Sequence, residues 1–306
     1  MTHPAWPALS SPEWPAFNSP AWTGTYGTLH MWTQIVGKIR LALEPKVNHW
    51  WGAALQLSGR GLTTLSMPYQ GASFEMTFDF CAHELQISTS DRRVKVVKLE
   101  PKSVAVFYAE TMDALAQLGI AVKIWPMPVE VPAPIRFTDD TVHASYDAKA
   151  VAIWWSAMSK SASVMNEFRA GFVGKSSPVH FWWGAFDLAV TRFSGRRAPE
   201  RQGADAMTKE AYSHEVISAG FWPGSGTITE PAYYAYAAPE PEGFKASRVK
   251  PAKAFYGDAG AGGEFFLKYE DVRTAPSPHD ALMEFLQSTY DAGATLGKWD
   301  RKDLER

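Results

Sequence analysis

Cysteine is nearly absent from this chain of 306 residues; Cys81 stands alone. A single thiol closes no intramolecular disulfide and rules out a Cys-rich metal knuckle. Reducing cytoplasm is the compartment that fits best. Long apolar runs are also missing, and none approaches the roughly 18 residues that a membrane-spanning helix needs. The first residues lack the basic start and apolar run of a secretory signal. Neither charge sign dominates: 30 Lys and Arg stand against 32 Asp and Glu, a net charge of −2. No global field therefore favours nucleic acid, an anionic membrane or an acidic substrate. There is no GxSxG elbow, no phosphate-binding Walker loop, no GxGxxG and no HExxH, so the common hydrolase, nucleotide-binding and zinc-protease signatures are excluded as motifs.

What the chain does have is aromatic mass: 13 Trp, 17 Phe and 11 Tyr. Indoles serve both cores and ligand pockets, because they are bulky, apolar and carry one polar N–H. Apolar residues make up 46% and charged residues 20%, a globular balance, and the length suits one large or two ordinary domains.

The chain also echoes itself. Trp50-Trp51-Gly52-Ala53 recurs as Trp182-Trp183-Gly184-Ala185, an offset of 132. Phe107, Thr111, Asp113, Ala114, Ala116, Leu118 and Gly119 recur as Phe285, Thr289, Asp291, Ala292, Ala294, Leu296 and Gly297, an offset of 178. Two echoes in the same order indicate an internal duplication. The expected fold is α+β: two halves of helix, three strands and helix, related by a pseudo-twofold, with sheets covered by helices.

Residues 1–25 read as an extended Pro- and Trp-rich arm, with Trp6, Trp14 and Trp22 docked on the body. Residues 26–125 form the first half. Leu29, Trp32, Ile35, Val36, Ile39 and Leu43 mark one helical face. A strand over 49–64 carries the first WWGA, and alternation over 74–80 predicts a second strand. Val94 to Leu99 is a third, Ser103 to Leu118 a helix with Gly119 as C-cap, and Val122 to Trp125 a closing strand. Residues 126–150 are a Pro-rich linker. In the second half, 151–306, a helix with Trp154, Met158, Met165 and Phe168 on one face precedes a strand over 179–193. Strands over 231–237 and 264–269 and a helix over 279–296 complete it. An insertion at 194–230 separates the halves' plans, and long irregular segments of this kind are usually functional. The glycines at 257, 260, 262 and 263 read as a hairpin loop.

The strings LHMWTQIVGKIRLALEP (Leu29–Pro45), Asn48-His49-Trp50-Trp51, HFWWGAFDL (His180–Leu188), GFWPG (Gly220–Gly224) and Pro239-Glu240-Pro241 with Gly243-Phe244 resemble a bacterial family described only as a domain of unknown function. The resemblance covers nearly all of the chain after the arm. It implies a bacterial origin and a single-unit chain, and it supplies no catalytic residues.

Candidate site residues follow from chemistry. Arg60 and Arg192 occupy equivalent places in the repeat, and a pseudo-twofold would bring both guanidiniums to one cleft to grip a carboxylate or phosphate. The alternative is two strand-end arginines paired with Asp or Glu. His49 and His180 flank the two WWGA quartets out of register, which argues against a symmetric two-histidine site. His214 and Glu215 lie in the insertion; His214 is the leading acid/base candidate. His83, His214 and Glu240 are the alternative set for a divalent metal. His30, Gln34 and Lys38 form a stripe on the first helix, either a solvated flank or the lining of a cleft. Trp222, held extended by Pro223, is either a lid over a pocket or a core plug. Cys81 reads as a buried, inert thiol on the face of His83.

The functional expectation is a cytoplasmic protein that binds a small anionic or aromatic molecule in a pocket between the halves. Arg60, Arg192, His49, Trp51, Trp183 and Trp222 would bind, and His214 with Glu215 would act if the protein is an enzyme. A non-catalytic sensor with the same pocket and a His/carboxylate metalloenzyme are the alternatives. No cofactor is expected outside the divalent-metal alternative, no nucleic-acid or membrane partner is expected, and the oligomeric state is open.

Overall fold

The computed structural model describes residues 14–17, 21–224, 228–258 and 262–306. Trp6 lies outside these residues. Helix α1 (Trp22–Leu43) leads into a short 3-10 turn (Asn48–Trp50). Strands β1 (Leu55–Leu57), β2 (Gly61–Thr63), β3 (Met67–Tyr69), β4 (Ala72–Asp79), β5 (Glu84–Thr89) and β6 (Val94–Lys98) follow, then α2 (Val104–Gln117). The second half opens with α3 (Ala148–Ala170), β7 (His180–Trp182) and β8 (Asp187–Arg197). It continues with α4 (Ala206–Ala211), β9 (His214–Trp222), β10 (Ala232–Ala238), β11 (Phe255–Asp258) and β12 (Gly263–Lys268), and ends with α5 (Tyr269–Arg273), α6 (Pro278–Leu296) and α7 (Arg301–Leu304).

The fold is mixed α and β, with one antiparallel sheet rather than two related ones. Its strand order is β11-β12-β10-β9-β8-β7-β1-β2-β4-β5-β6, with β3 beside β4. The seam between the halves is the β1–β7 pair, where Leu55 faces Phe181 and Gln56 faces His180. In both halves the strands run outward from this seam, and α2 and α6, which carry the second echo, close them. The WWGA quartets do not share a place in that plan. The first lies in a turn before β1; the second ends β7 and turns into β8. Both expected WWGA strands are therefore hairpins interrupted by tight turns, with His49, Trp50 and Phe186 in left-handed backbone. Residues 122–125 form no strand. The expected insertion holds the end of β8, α4 and all of β9, an interior strand bonded to β8 and β10.

Local signals elsewhere act as their chemistry dictates. Ser103 caps α2 by accepting from Val106 N, and Gly119 follows it at φ +78°. Asp147 caps α3 through Ala150 N. Gly257 and Gly263 lie in the paired strands of the β11–β12 hairpin, and Gly260 lies outside the described residues. Helix α1 starts at Trp22, inside the expected arm, while Trp14 is buried beside Tyr269. No helix among the described residues is long and apolar enough to cross a membrane.

One continuous apolar core runs from Trp14 to Trp299 through both halves. Helix α1 sits inside it, with every residue from Thr28 to Arg40 buried. The His30, Gln34 and Lys38 stripe is thus no solvated flank. Each polar group finds a partner, as burial requires. His30 Nε2 lies 2.8 Å from the Gly184 carbonyl. Gln34 clamps Val129 at both backbone groups, N–H to Oε1 and Nε2 to carbonyl, each 2.8 Å. Lys38 lies over Trp125 and Trp183, at 5.0 and 5.6 Å. Arg40 donates to the carbonyls of Gly52 and Thr64. Trp183 presses on α1 where Gly37 has no side chain, and its Nε1 donates to Ala53 O at 2.8 Å.

A Cβ on Gly37 would overlap the Trp183 indole. Gly to Ala inside an exposed helix usually gains about 1 kcal/mol. Gly37→Ala is expected to lose about 1–3 kcal/mol through overpacking, read as a lower midpoint in urea denaturation. A gain in stability would contradict the packing of α1 against the second half.

Candidate functional site

A cavity of about 940 Å³ opens between the start of α1, the 128–135 segment and the far ends of β8, β9, β10 and β12. That size holds a drug-sized molecule. The register explains its floor. Asp187 begins β8, Trp222 ends β9, Tyr234 pairs with Gly220 and Phe266, and residues paired directly across antiparallel strands share a face. Tyr26 and His30 of α1 and Glu130, Val131 and Pro132 of the 128–135 segment form the opposite wall. The Gln34 clamp on Val129 positions that segment, and Glu130 takes a left-handed backbone, φ 57°.

Tyr234 reaches across β9 because Gly220 leaves room; a Cβ there would overlap the ring. Its hydroxyl donates to Asp187 Oδ2. Tyr234 stacks on Tyr236, with centroids 6.1 Å apart, and Tyr236 shares a hydrogen bond of 2.9 Å with Tyr212. Trp222 leans on Phe266, 6.4 Å between rings. The cavity wall is thus aromatic on several sides.

Its charges are of one sign. Glu130, Asp187 and Glu264 line it, with no Lys or Arg among the described lining residues. Burial pushes Asp187 up to about 7, and the Glu130 charge adds to this while the Tyr234 hydrogen bond opposes it. Burial likewise pushes Glu264 up to about 7, helped by Asp187 and Asp258. Glu130 is raised by burial as well. Burial lowers His30 to about 4, against the hydrogen bond to Gly184, so the ring is neutral. His143, on the rim, bonds Asp140 Oδ2 at 2.7 Å.

With this geometry in place the comparisons decide the family. A family model, described as a family of unknown function (DUF5996), matches residues 14–306. The chain belongs to the DUF5996 family. No curated protein and no solved structure matches it. Family membership covers both halves and the cavity and assigns neither an activity.

Of the site residues expected from sequence, Trp222 lines this cavity. Trp183 is core, packed on α1. Arg60 and Arg192 do not converge. Arg60 lies exposed in the turn before β2 and bonds Asp79 at 2.6 Å. Arg192 is buried within β8, its guanidinium 3.5 Å from the Phe168 ring centroid and 4.3 Å from that of Tyr290, and burial lowers it to about 10. His49, Trp51 and His214 do come together, at the other end of β9. Glu215 is held by Arg196 at 2.7 Å and Ser194 at 2.9 Å. The metal set is dispersed: His83 bonds Tyr146 beside β5, six strands from β9, and Glu240 accepts from Tyr256. Among the described residues no group of three or more His, Cys, Asp or Glu is placed to hold a metal ion. Cys81 is exposed in the β4–β5 turn, not buried in a strand.

The raised carboxyl of Asp187 fixes a sign. An ordinary carboxyl titrates near 3.8 and this one near 7, so its protonated form favours the fold, fully at low pH. That contribution falls by about 1.4 kcal/mol per pH unit as pH rises through this window and is gone above it. Asp187→Asn keeps the neutral state. Its stability relative to the native chain is expected to improve by about 2–3 kcal/mol between pH 5 and pH 8, read by urea denaturation at both. A pH-independent difference would show that Asp187 ionises normally.

Proposed function

We propose that the chain binds a small aromatic cation in the 940 Å³ cavity. The carrying observation is an aromatic wall joined to three carboxyl groups, with no Lys or Arg among the described lining residues. A cation over Tyr or Trp faces gains from the ring quadrupole, and more when water is excluded. A carboxyl held near 7 is about half neutral at neutral pH and ionises further when a cation arrives, so binding releases protons. The anionic ligand first expected from Arg60 and Arg192 finds no arginine here, whereas the aromatic part of that expectation stands on Trp222.

A second reading rests on the same pair. Asp187 and Glu264, both pushed up to about 7, suit giving and taking protons at neutral pH on the bound molecule. In this reading the acid/base groups are carboxyls of β8 and β12, and His214 and Glu215 lie elsewhere. We also read the halves as copies of one unit, on the strand order about the β1–β7 seam and the matching α2 and α6. The cavity is then a feature of the second copy, roofed by α1 of the first.

Benzyltrimethylammonium and benzoate separate the charge classes. Titration calorimetry is expected to detect the cation with release of protons near pH 7, and benzoate at least tenfold more weakly. Asp187→Asn is expected to weaken the cation about tenfold, equal to about 1.4 kcal/mol. Equal or tighter benzoate binding would overturn the reading.

A further inference from the structure

At the opposite end of the same sheet face three basic side chains meet. Lys175 is set by its carbonyl, which accepts from Phe193 N at 3.0 Å. Its ammonium donates to His49 Nε2 at 2.6 Å. It also lies 5.0 Å from the Phe193 ring centroid and 5.5 Å from that of Trp51. His49 Nδ1 lies 3.1 Å from the Glu210 carbonyl and 3.3 Å from that of Ala211. Those acceptors assign the ring proton to Nδ1 and leave Nε2 to receive the lysine. His214 stands 5.7 Å from His49, ring to ring, and bonds Ser213 Oγ at 3.0 Å. Arg197, the cross-strand partner of His214, adds another positive charge.

Among the described residues no carboxylate forms an ion pair with them. Glu210 on α4 pairs with Lys46 at 2.8 Å, and Glu215 on β9 pairs with Arg196 at 2.7 Å. Among the described residues Lys175 has no ion-pair partner. Gathering positive groups without a counter-charge is costly, and each disfavours protonation of the others. Lys175 accordingly helps to lower both histidines, after burial as the main cause. The backbone holds this arrangement against its own preference. His49 and Trp50 are consecutive non-glycine residues in left-handed conformation, at φ 55° and 61°. Such conformations persist where the surroundings fix them, and they cluster at binding sites.

We propose that Lys175, His49 and His214 form an anion site for a phosphate or carboxylate group, walled by Trp51 and Phe193. Lys175 supplies the permanent charge. His49 orients the ammonium through Nε2, and His214 takes up a proton as the anion arrives. The basic groups facing the site are Lys175, His49, His214 and Arg197; Lys46 and Glu210 cancel each other at its edge. Binding therefore tightens as pH falls through the histidine range and carries proton uptake. This inference stands apart from the cavity, which lies at the other end of β9.

The test is NMR titration of the histidine ring signals of the full chain with inorganic phosphate and, separately, acetate, at ionic strength fixed with chloride. The expected result is saturable shifts of His49 and His214, with a raised titration midpoint for His214. The tighter of the two anions identifies the ligand class. Lys175→Gln should abolish the shifts, Lys175→Arg should retain them, and His214→Asn should weaken binding about tenfold. His214→Asn also serves as the reading should Lys175→Gln fail to fold. Absence of saturation, an equal response to chloride, or undiminished binding by folded Lys175→Gln would overturn the proposal.

Discussion

Burial of α1 on every side is the constraint on which the rest of the molecule depends. A helix buried all round is normally apolar all round. This one carries His30, Gln34, Lys38 and Arg40 into the interior. Each such group costs several kcal/mol if left without a partner. The partners come from separated parts of the chain: Gly52, Thr64 and Trp125 in the first half, Val129 in the connecting segment, Trp183 and Gly184 in the second. The helix thus ties two halves that meet in the sheet, among the described residues, at the short β1–β7 pair. The same bonds place the cavity wall, because the residue fixed by Gln34 is the neighbour of Glu130.

The second half then uses one face of β8, β9 and β10 for two opposed environments. At the Trp222 end, carboxyl groups and aromatic rings gather with no Lys or Arg among the described lining residues. At the His214 end, Lys175 and two histidines gather without a paired carboxylate. The floor between them is small, with Ala189, Thr191, Ser218 and Gly220 on that face. Small residues let rings lie flat across the strands, as Tyr234 does over Gly220.

Much of the fold was legible in the sequence, for identifiable reasons. The apolar faces of α1, α3 and α6, the alternation of β4 and the Gly119 stop are local signals, and local signals survive folding. The WWGA strands failed because Trp-Trp favours a strand while the residues around it, His49 and Trp50 in one case and Phe186 in the other, take turn geometry. Strand β9 was hidden by Ser218-Ala219-Gly220, poor strand formers that suit an interior strand crossed by large rings. Of the cavity, Trp222 was legible. Asp187 is a lone carboxyl inside the apolar run Phe181–Val190, a signal that the sequence carries without naming its role. Glu130 and Glu264 acquire their meaning from the cavity they line together, which one sequence does not display. His49, Trp51 and His214 were chosen for their chemistry and do meet, with Lys175 as the member that no motif announced.

Amide hydrogen exchange across the whole chain tests the role of α1 most directly. If α1 is the shared interior of both halves, amides from Thr28 to Arg40 open only with global unfolding and are among the slowest in the molecule, matched to those of β8 and β9. Exchange of that segment through local opening, at rates well above those of β8 and β9, would contradict the account.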